Sequence, residues 1–464
     1  MTTGRIQRTE EEMRTRPVNR LQTMYPIRAY ADEMYARAEQ KGKEGRPIAW
    51  CMFEPFTKHI FNVMDVETIF TENYAGICAN DDVAIPYIDR AVADGFPGYL
   101  CGYLTNIFGY AGRMQELDYE IPPEAPRGGI PKPILLLDSS SGCDARAKGY
   151  SGLGRYLGAA VYTLDCPTPG QREGMMPGAY EHEVKTIVQN LRDFIEFMEH
   201  LLGTKLDYDK LDEDVSNHIK LDAVWFAATD ELRTARPGPV NSRDHFACMT
   251  SLFFNPSEPE RLLELVQNMY DETKHRVDNG ISGINREEKY RMSFSGLGPW
   301  ANMNLLDMWA DKGWNFVREG YHPPDPIDVS SVTDPVEKIV RYRYQGLERS
   351  IDNSFSPEEA AEVKKEVMDT GFSHRANPGI SDAKNYQLDG VIQYCNFSCR
   401  PTATSTSISQ YQLMEAYKVP SLIVEADMID KRVLDVDDLL KRCEAFEETM
   451  DHYKEERKNL GMPW

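Results

Sequence analysis

Short apolar runs, too brief for a helix, alternate from Pro47 onward with stretches of three- and four-residue apolar spacing. That alternation confines the chain to an α/β arrangement of buried strands covered by helices. Ile48 to Met52, Ile134 to Asp138 and Ala159 to Leu164 read as strands of a first lobe. Each runs into a loop bearing Cys, Asp or Ser, at the edge where open α/β sheets hold ligands. Past Tyr290 the alternation returns, with strands expected at Met292 to Ser295, Leu388 to Tyr394 and Leu422 to Glu425. Between the two, Val184, Ile187, Val188, Leu191, Ile195, Met198 and Leu202 keep helical period up to Gly203, a natural stop. A second apolar stripe, Leu262, Leu265, Met269 and Val277, follows an opening near Ser257. The predicted order is a helical segment over 1–45, an α/β lobe over 46–170, a mainly helical segment over 171–285 and a second α/β lobe over 286–464. The fold class is therefore α/β, with two Rossmann-like or flavodoxin-like lobes. No internal repeat is read in the sequence.

The formal net charge is −22, which repels phosphate backbones and argues against nucleic acid as a partner. The N-terminal residues are polar and charged, and no run of about 18 apolar residues occurs, so the expectation is a cytoplasmic protein with no membrane span. Nine cysteines, an odd number scattered over a long chain, point to thiols rather than a disulfide framework.

Four of those cysteines stand out by position. Cys101 lies in Leu100-Cys101-Gly102-Tyr103, Cys143 ends Asp138-Ser139-Ser140-Ser141-Gly142-Cys143, and Cys395 and Cys399 flank Asn396-Phe397-Ser398. Loops rich in Gly and Ser supply backbone N–H groups for sulfur or for an anion. Cys51, Cys78, Cys166, Cys248 and Cys443 read as small buried apolar residues. A zinc site would ask for a close pair joined by a second pair or by His, and the Cys395/Cys399 pair has no such companion. A C-x₂-C-x₂-C run, the strong local sign of an iron–sulfur cluster, is absent from the sequence.

Several short stretches, in order along nearly the whole chain, resemble the larger catalytic subunits of the superfamily of 2-hydroxyacyl-CoA dehydratases and ATP-dependent benzoyl-CoA reductases. They are Glu72-Asn73-Tyr74-Ala75-Gly76, Leu100-Cys101-Gly102-Tyr103, Ser141-Gly142-Cys143, Glu287-Glu288-Lys289-Tyr290-Arg291, Ser398-Cys399-Arg400-Pro401 and the segment from Glu425 to Arg432. The resemblance implies that Cys101, Cys143 and Cys399 bind one [4Fe–4S] cluster, with the fourth iron open or held by a non-cysteine ligand. It also implies a CoA thioester substrate, a homologous second iron–sulfur subunit, an ATP-hydrolysing iron–sulfur activator and ferredoxin as electron donor. An electron delivered at very low potential would reduce the thioester carbonyl to a ketyl-type radical anion, and a dry pocket suits both ends of that transfer.

Within that superfamily the loop Trp50-Cys51-Met52-Phe53-Glu54-Pro55 carries no hydroxyl, and Cys143 has no neighbouring cysteine. Both features, with the Glu287–Arg291 segment, lead to the expectation of an aryl-CoA (benzoyl-CoA) reductase, an oxidoreductase of anaerobic aromatic degradation. The alternative is a 2-hydroxyacyl-CoA dehydratase, favoured by Cys399-Arg400-Pro401. A third reading is a non-catalytic electron relay or scaffold, for which Cys395 would be the fourth ligand. Glu72 and Glu54 are the candidates for proton transfer, because a carboxyl group beside a dry pocket has its pKa raised. Glu425, Asp427, Asp430 and Arg432 read as an ion-paired structural cluster. Gly152-Leu153-Gly154 with Gly158 misses the G-x-G-x-x-G spacing, so ATP hydrolysis is assigned to a partner.

Overall fold

The computed structural model describes residues 15–464 apart from 53–54, 141–142, 255–256, 322, 324 and 463; at Asp144, Asp230, Glu231 and Pro378 it describes the backbone alone. The first lobe contains α1 (Met24–Lys43), β1 (Ile48–Cys51), α2 (Lys58–Val63), β2 (Glu67–Phe70), α3 (Thr71–Asn80), α4 (Ala84–Ala93), α5 (Gly102–Glu116), β3 (Leu135–Ser139), α6 (Asp144–Leu157) and β4 (Ala160–Leu164). Its strands are all parallel, in the order β2-β1-β3-β4. Helices α7 (Ala179–Leu202), α8 (Tyr208–Phe226), α9 (Ser242–Leu252) and α10 (Pro259–Asp278) follow. The second lobe comprises β5 (Tyr290–Gly296), α11 (Leu305–Asp311), β6 (Trp314–Glu319), α12 (Pro335–Arg343), α13 (Gly346–Ser354), α14 (Pro357–Thr370), α15 (Pro378–Asn385), β7 (Gly390–Asn396), α16 (Arg400–Tyr417), β8 (Ser421–Ala426) and α17 (Val436–Asn459). Its parallel order is β6-β5-β7-β8.

The two sheets are wound alike: in each, the chain steps outward to an edge strand and then crosses back past the first strand. No sequence repeat announces this, so the expectation of no repeat holds for residues and fails for topology. Parallel strands are covered on both faces, which selects apolar residues but not particular ones, and unrelated sequences satisfy the same winding. Each sheet has a reversal of strand order, between β1 and β3 and between β5 and β7, where the carboxyl ends leave a crevice.

Period-two alternation sends successive strand residues to opposite faces. Leu135 and Leu137 join Leu191, Phe194, Phe294 and Trp309 in one continuous core that unites both lobes and the helical segment. Trp50 and Leu136 face the other way, among Tyr74 of α3, Ile107 of α5 and Leu153 of α6. Met428 and Ile429, from the second lobe, complete that second cluster and dock the lobes there.

The six expected strands are present with their ends displaced by a residue or two. Strands β2 and β6 were not anticipated. Glu67-Thr68-Ile69-Phe70 and Trp314-Asn315-Phe316-Val317-Arg318-Glu319 mix charged and apolar residues, yet every residue of both is buried. Their charged and amide side chains are paired after folding, as in Asn315 Nδ2 donating to Glu288 at 2.7 Å, and pairing across the fold leaves no local signature. No described helix is long and apolar enough to cross a membrane.

Candidate active site

Cys101, Cys143 and Cys399 are each the N-cap of a helix: α5, α6 and α16. Cys143 follows β3 and Cys399 follows β7, which are equivalent strands of the two sheets, beside the two strand-order reversals. Two of the three cysteines thus occupy the same topological position in the two lobes. Cys101 arrives from a loop whose Tyr99 is 76% exposed. At all three positions the first-turn amides of the helix are directed toward the cap, which favours negative charge on sulfur.

The three cysteines share one neighbourhood with Glu72. Burial pushes the Cys101 thiol well above its ordinary value; the Leu104 amide opposes this, and the charges of Cys399 and Glu72 add to it. Burial likewise raises Cys399, with Thr402 opposing and Cys143 and Glu72 adding. All three cysteines are half-buried, whereas Cys51, Cys78, Cys166, Cys248 and Cys443 are buried, as expected of core residues. Cys395 stays within β7, in register with Glu425, and caps no helix.

Among the described residues, the three sulfurs do not come within 4.8 Å of one another as a group. Two thiolates on one zinc ion, at about 2.3 Å each, can be no more than about 4.6 Å apart. As these sulfurs stand, the set is too open for a single ion.

The loops carrying two of these cysteines are fastened across the lobe boundary. Gly102 N–H donates to Ser398 Oγ at 3.1 Å, and Ser398 Oγ donates to the Asp427 carboxylate. Asp427 also accepts from the amides of Ile429 at 2.8 Å and Asp430 at 3.0 Å. A Cβ on Gly102 would stand 2.6 Å from Asp427 Oδ1, so the glycine beside Cys101 is required by this contact. The expectation of an ion-paired cluster is met only in part. Arg432 pairs with Asp430 at 2.7 Å and Asp89 at 2.8 Å, whereas Asp427 is 1% exposed and takes hydrogen bonds from backbone and serine. Burial raises its pKa despite those bonds.

Glu72 lies in the first turn of α3, and its carboxylate is 3.4 Å from Arg146 Nη2. Arg146 sits in the first turn of α6, three residues past Cys143. Burial works against its charge, but Glu72, Cys143, Tyr321 and Cys101 outweigh that and raise its pKa. Aromatic residues wall the same space: Trp300 Nε1 donates to Tyr103 Oη at 2.7 Å, and burial raises the phenols of Tyr103 and Tyr321, which also touch each other. Arg146, Trp300 and Tyr321 escaped sequence reading. Arg146 had one local signal, its place one helical turn after Cys143. The two aromatics follow β5 and β6, and only the packing of the second lobe on the first brings them here. Glu54 lies outside the described residues.

Asp138, one residue from the end of β3, is wholly buried and poorly hydrogen-bonded. Burial pushes its pKa up to about 6, with Thr163 and Arg146 only partly offsetting. A polar cleft of about 520 Å³ opens elsewhere in the second lobe, between Ser293, Gln393, Asp382 and Ser409, and none of the three cysteines lines it.

Comparison with known proteins places this geometry. The family model described as 2-hydroxyglutaryl-CoA dehydratase, D-component, matches residues 56–450. The chain is 24% identical to the (R)-2-hydroxyisocaproyl-CoA dehydratase alpha subunit of Clostridioides difficile, over 92% of this chain and 95% of that one. It is 20% identical to the (R)-phenyllactyl-CoA dehydratase alpha subunit of Clostridium sporogenes, over 95% and 99%. It is 21% identical to the lactoyl-CoA dehydratase subunit alpha of Anaerotignum propionicum, over 84% and 87%. These relatives overturn the expectation of a benzoyl-CoA reductase and oxidoreductase, and agree with the alternative, a dehydratase and hence a lyase. The reductase expectation leaned on the missing hydroxyl between Trp50 and Pro55. That loop is one short segment, while the polar groups near the cysteines come from α3, α6 and the strand ends of the second lobe. The chain belongs to the 2-hydroxyglutaryl-CoA dehydratase D-component family.

Proposed function

We propose that this chain is the alpha-type subunit of a dehydratase that removes water from an (R)-2-hydroxyacyl-CoA, with Cys101, Cys143 and Cys399 holding a [4Fe–4S] cluster. The observation carrying this reading is the convergence of three N-cap cysteines from remote parts of the chain on one aromatic-walled space containing the Glu72–Arg146 pair. A cluster bound there would supply one-electron chemistry at low potential and an open iron site. The chain's own residues do the rest. The first-turn amides of α5, α6 and α16 stabilise negative charge at the sulfurs. Tyr103, Trp300 and Tyr321 exclude water from reactive species. Arg146 holds Glu72 in place, so that Glu72 takes the proton from the carbon next to the one bearing the hydroxyl and returns a proton to the departing hydroxide, which leaves as water. The same reading includes a homologous second subunit, an ATP-hydrolysing iron–sulfur activator and ferredoxin as electron donor.

The test is anaerobic co-purification with the second subunit, followed by iron and sulfide analysis and turnover of (R)-2-hydroxyacyl-CoA substrates with activator, ATP and reductant. About four irons on this chain are expected, lost when Cys101, Cys143 or Cys399 becomes Ala, together with formation of the 2-enoyl-CoA. Iron retained in all three variants would refute the ligand assignment. A full cluster with no enoyl-CoA formed from any 2-hydroxyacyl-CoA would refute the reaction.

A further inference from the structure

Away from the cysteines, α2 of the first lobe meets α8 of the helical segment at a buried polar knot. His59 is 2% exposed, Asp214 8% and His218 0%. His59 Nδ1 lies 2.8 Å from Asp214 Oδ2, and His218 Nδ1 lies 3.2 Å from the same oxygen. The two rings stand edge to face with centroids 4.6 Å apart. One donor atom from each of the three residues lies within 4.8 Å of the other two, and no other group of three or more His, Cys, Asp or Glu among the described residues is so close.

Three features distinguish this knot from an ordinary buried hydrogen-bonded pair. First, two imidazoles converge on a single carboxylate oxygen, while Asn62 Nδ2 donates to the other oxygen, Oδ1. Asn62 thereby fixes the carboxylate and leaves Oδ2 for the two rings, the usual task of a group standing behind a metal ligand. Second, His218 Nε2 is fully buried and has no partner, although its Nδ1 faces the Asp214 carbonyl at 2.9 Å. With Nδ1 engaged by that carbonyl, Nε2 carries the free lone pair and is the nitrogen His218 would offer a cation. Third, Asp214 and His218 are four residues apart on one helix face, and His59 approaches from a different element, so the donors surround a point. At metal–ligand distances of about 2.0–2.2 Å, donors in tetrahedral array lie roughly 3.3–3.6 Å apart. His59 Nδ1 and Asp214 Oδ2, now 2.8 Å apart, would have to separate by about 0.5–0.8 Å to reach that spacing.

We infer that His59, Asp214 and His218 form a binding site for a divalent first-row cation, best suited to zinc, which ties α2 to α8. Two imidazoles and a carboxylate are a borderline donor set that takes zinc readily and lacks the thiolates by which [4Fe–4S] clusters are held. The site shares no residue with the cysteine site and holds or fails independently of the proposed dehydratase reaction. Its role is mechanical: α2 directly follows the loop that leaves β1, and the ion would pin that helix to the helical segment.

The test uses the full chain with its second subunit, produced in zinc-supplemented medium, with zinc measured by mass spectrometry separately from iron. About one zinc per chain is expected, surviving dialysis against a weak chelator. His59→Gln and Asp214→Asn should each lower zinc retention about tenfold or more while leaving iron in place. Cys399→Ala should lose iron and keep zinc, and with cobalt(II) in place of zinc it should show the visible bands of a tetrahedral ion, absent when His59→Gln is added. Should the knot variants not fold, the wild type decides alone, because zinc added after strong chelation must raise its thermal midpoint. Wild-type zinc near background with a midpoint indifferent to added zinc would overturn the inference, as would zinc that disappears with Cys399→Ala.

Discussion

A carboxyl group sealed inside a lobe and poorly hydrogen-bonded is costly when ionised, and Asp138 is in that position. Its folded pKa, pushed up to about 6, exceeds the ordinary carboxylate value, so the folded state binds this proton more tightly than the unfolded chain. Stability is therefore lost as pH rises from the ordinary range through about 6, and the full penalty persists above it. Asp138→Asn should stabilise the protein by on the order of 1–2 kcal/mol near neutral pH and by almost nothing below about pH 4. Denaturant melts at both pH values check this, and an equal effect at both would contradict it. Glu72 calls for a different measurement. Glu72→Gln should leave iron content unchanged and cut turnover by roughly 10²–10³-fold, since it removes a proton acceptor and no cluster ligand. Loss of iron together with activity would instead make Glu72 part of the cluster's support.

Helices α4 and α5 approach so closely that their backbones nearly touch. A Cβ at Gly109 of α5 would fall 1.8 Å from the carbonyl oxygen of Tyr87 in α4. Rigid backbone, unlike a flexible side-chain end, cannot step aside, so Gly109→Ala must push the helices apart. The expected loss is about 2–3 kcal/mol, or failure to accumulate folded protein, measured by denaturant unfolding. Gly98→Ala, with nothing within 4 Å of the added methyl, is the control and should be near neutral. Because α5 begins at Gly102 beside Cys101, the Gly109 variant should also loosen the cysteine site, visible as slower cluster retention under mild chelation.

Arg291 holds the second lobe to the helical segment. It is 1% exposed, and its guanidinium donates to the carbonyls of Tyr386 at 2.5 Å, Ala235 at 2.9 Å and Arg233 at 2.5 Å, with Glu288 at 3.3 Å. The Glu287–Arg291 stretch that helped mark the superfamily is thus a structural anchor. Replacing Arg291 by Met would leave buried carbonyls unpaired and Glu288 Oε1 without its cation, with an expected cost of about 3–5 kcal/mol in global unfolding. A variant that unfolds like the wild type would show that solvent or neighbouring groups replace the arginine.

Local pattern was enough to locate six strands and helices α7 and α10 of the middle segment, because each depends on residues within one or two turns. It also separated Cys101, Cys143 and Cys399 from the five buried cysteines, although their assignment as one ligand set came from resemblance and not from spacing. Local pattern did not reveal β2 or β6, whose charged residues are neutralised by partners far along the chain. It did not reveal the matched winding of the two sheets, Arg146 beside Glu72, the buried Asp138 or the His59–Asp214–His218 knot. It misjudged the reaction when the hydroxyl-free loop at 50–55, the lone Cys143 and the Glu287–Arg291 segment were made to stand for a whole site. Gly102 and Ser398 are 296 residues apart in sequence and share a hydrogen bond. Contacts of that kind depend on strand order and lobe docking, which follow from burying the whole chain's apolar surface at once. The sequence by itself therefore determined most of the elements, whereas the neighbours of each functional side chain were decided only by the tertiary fold, since no local interaction carries the free energy that selects them.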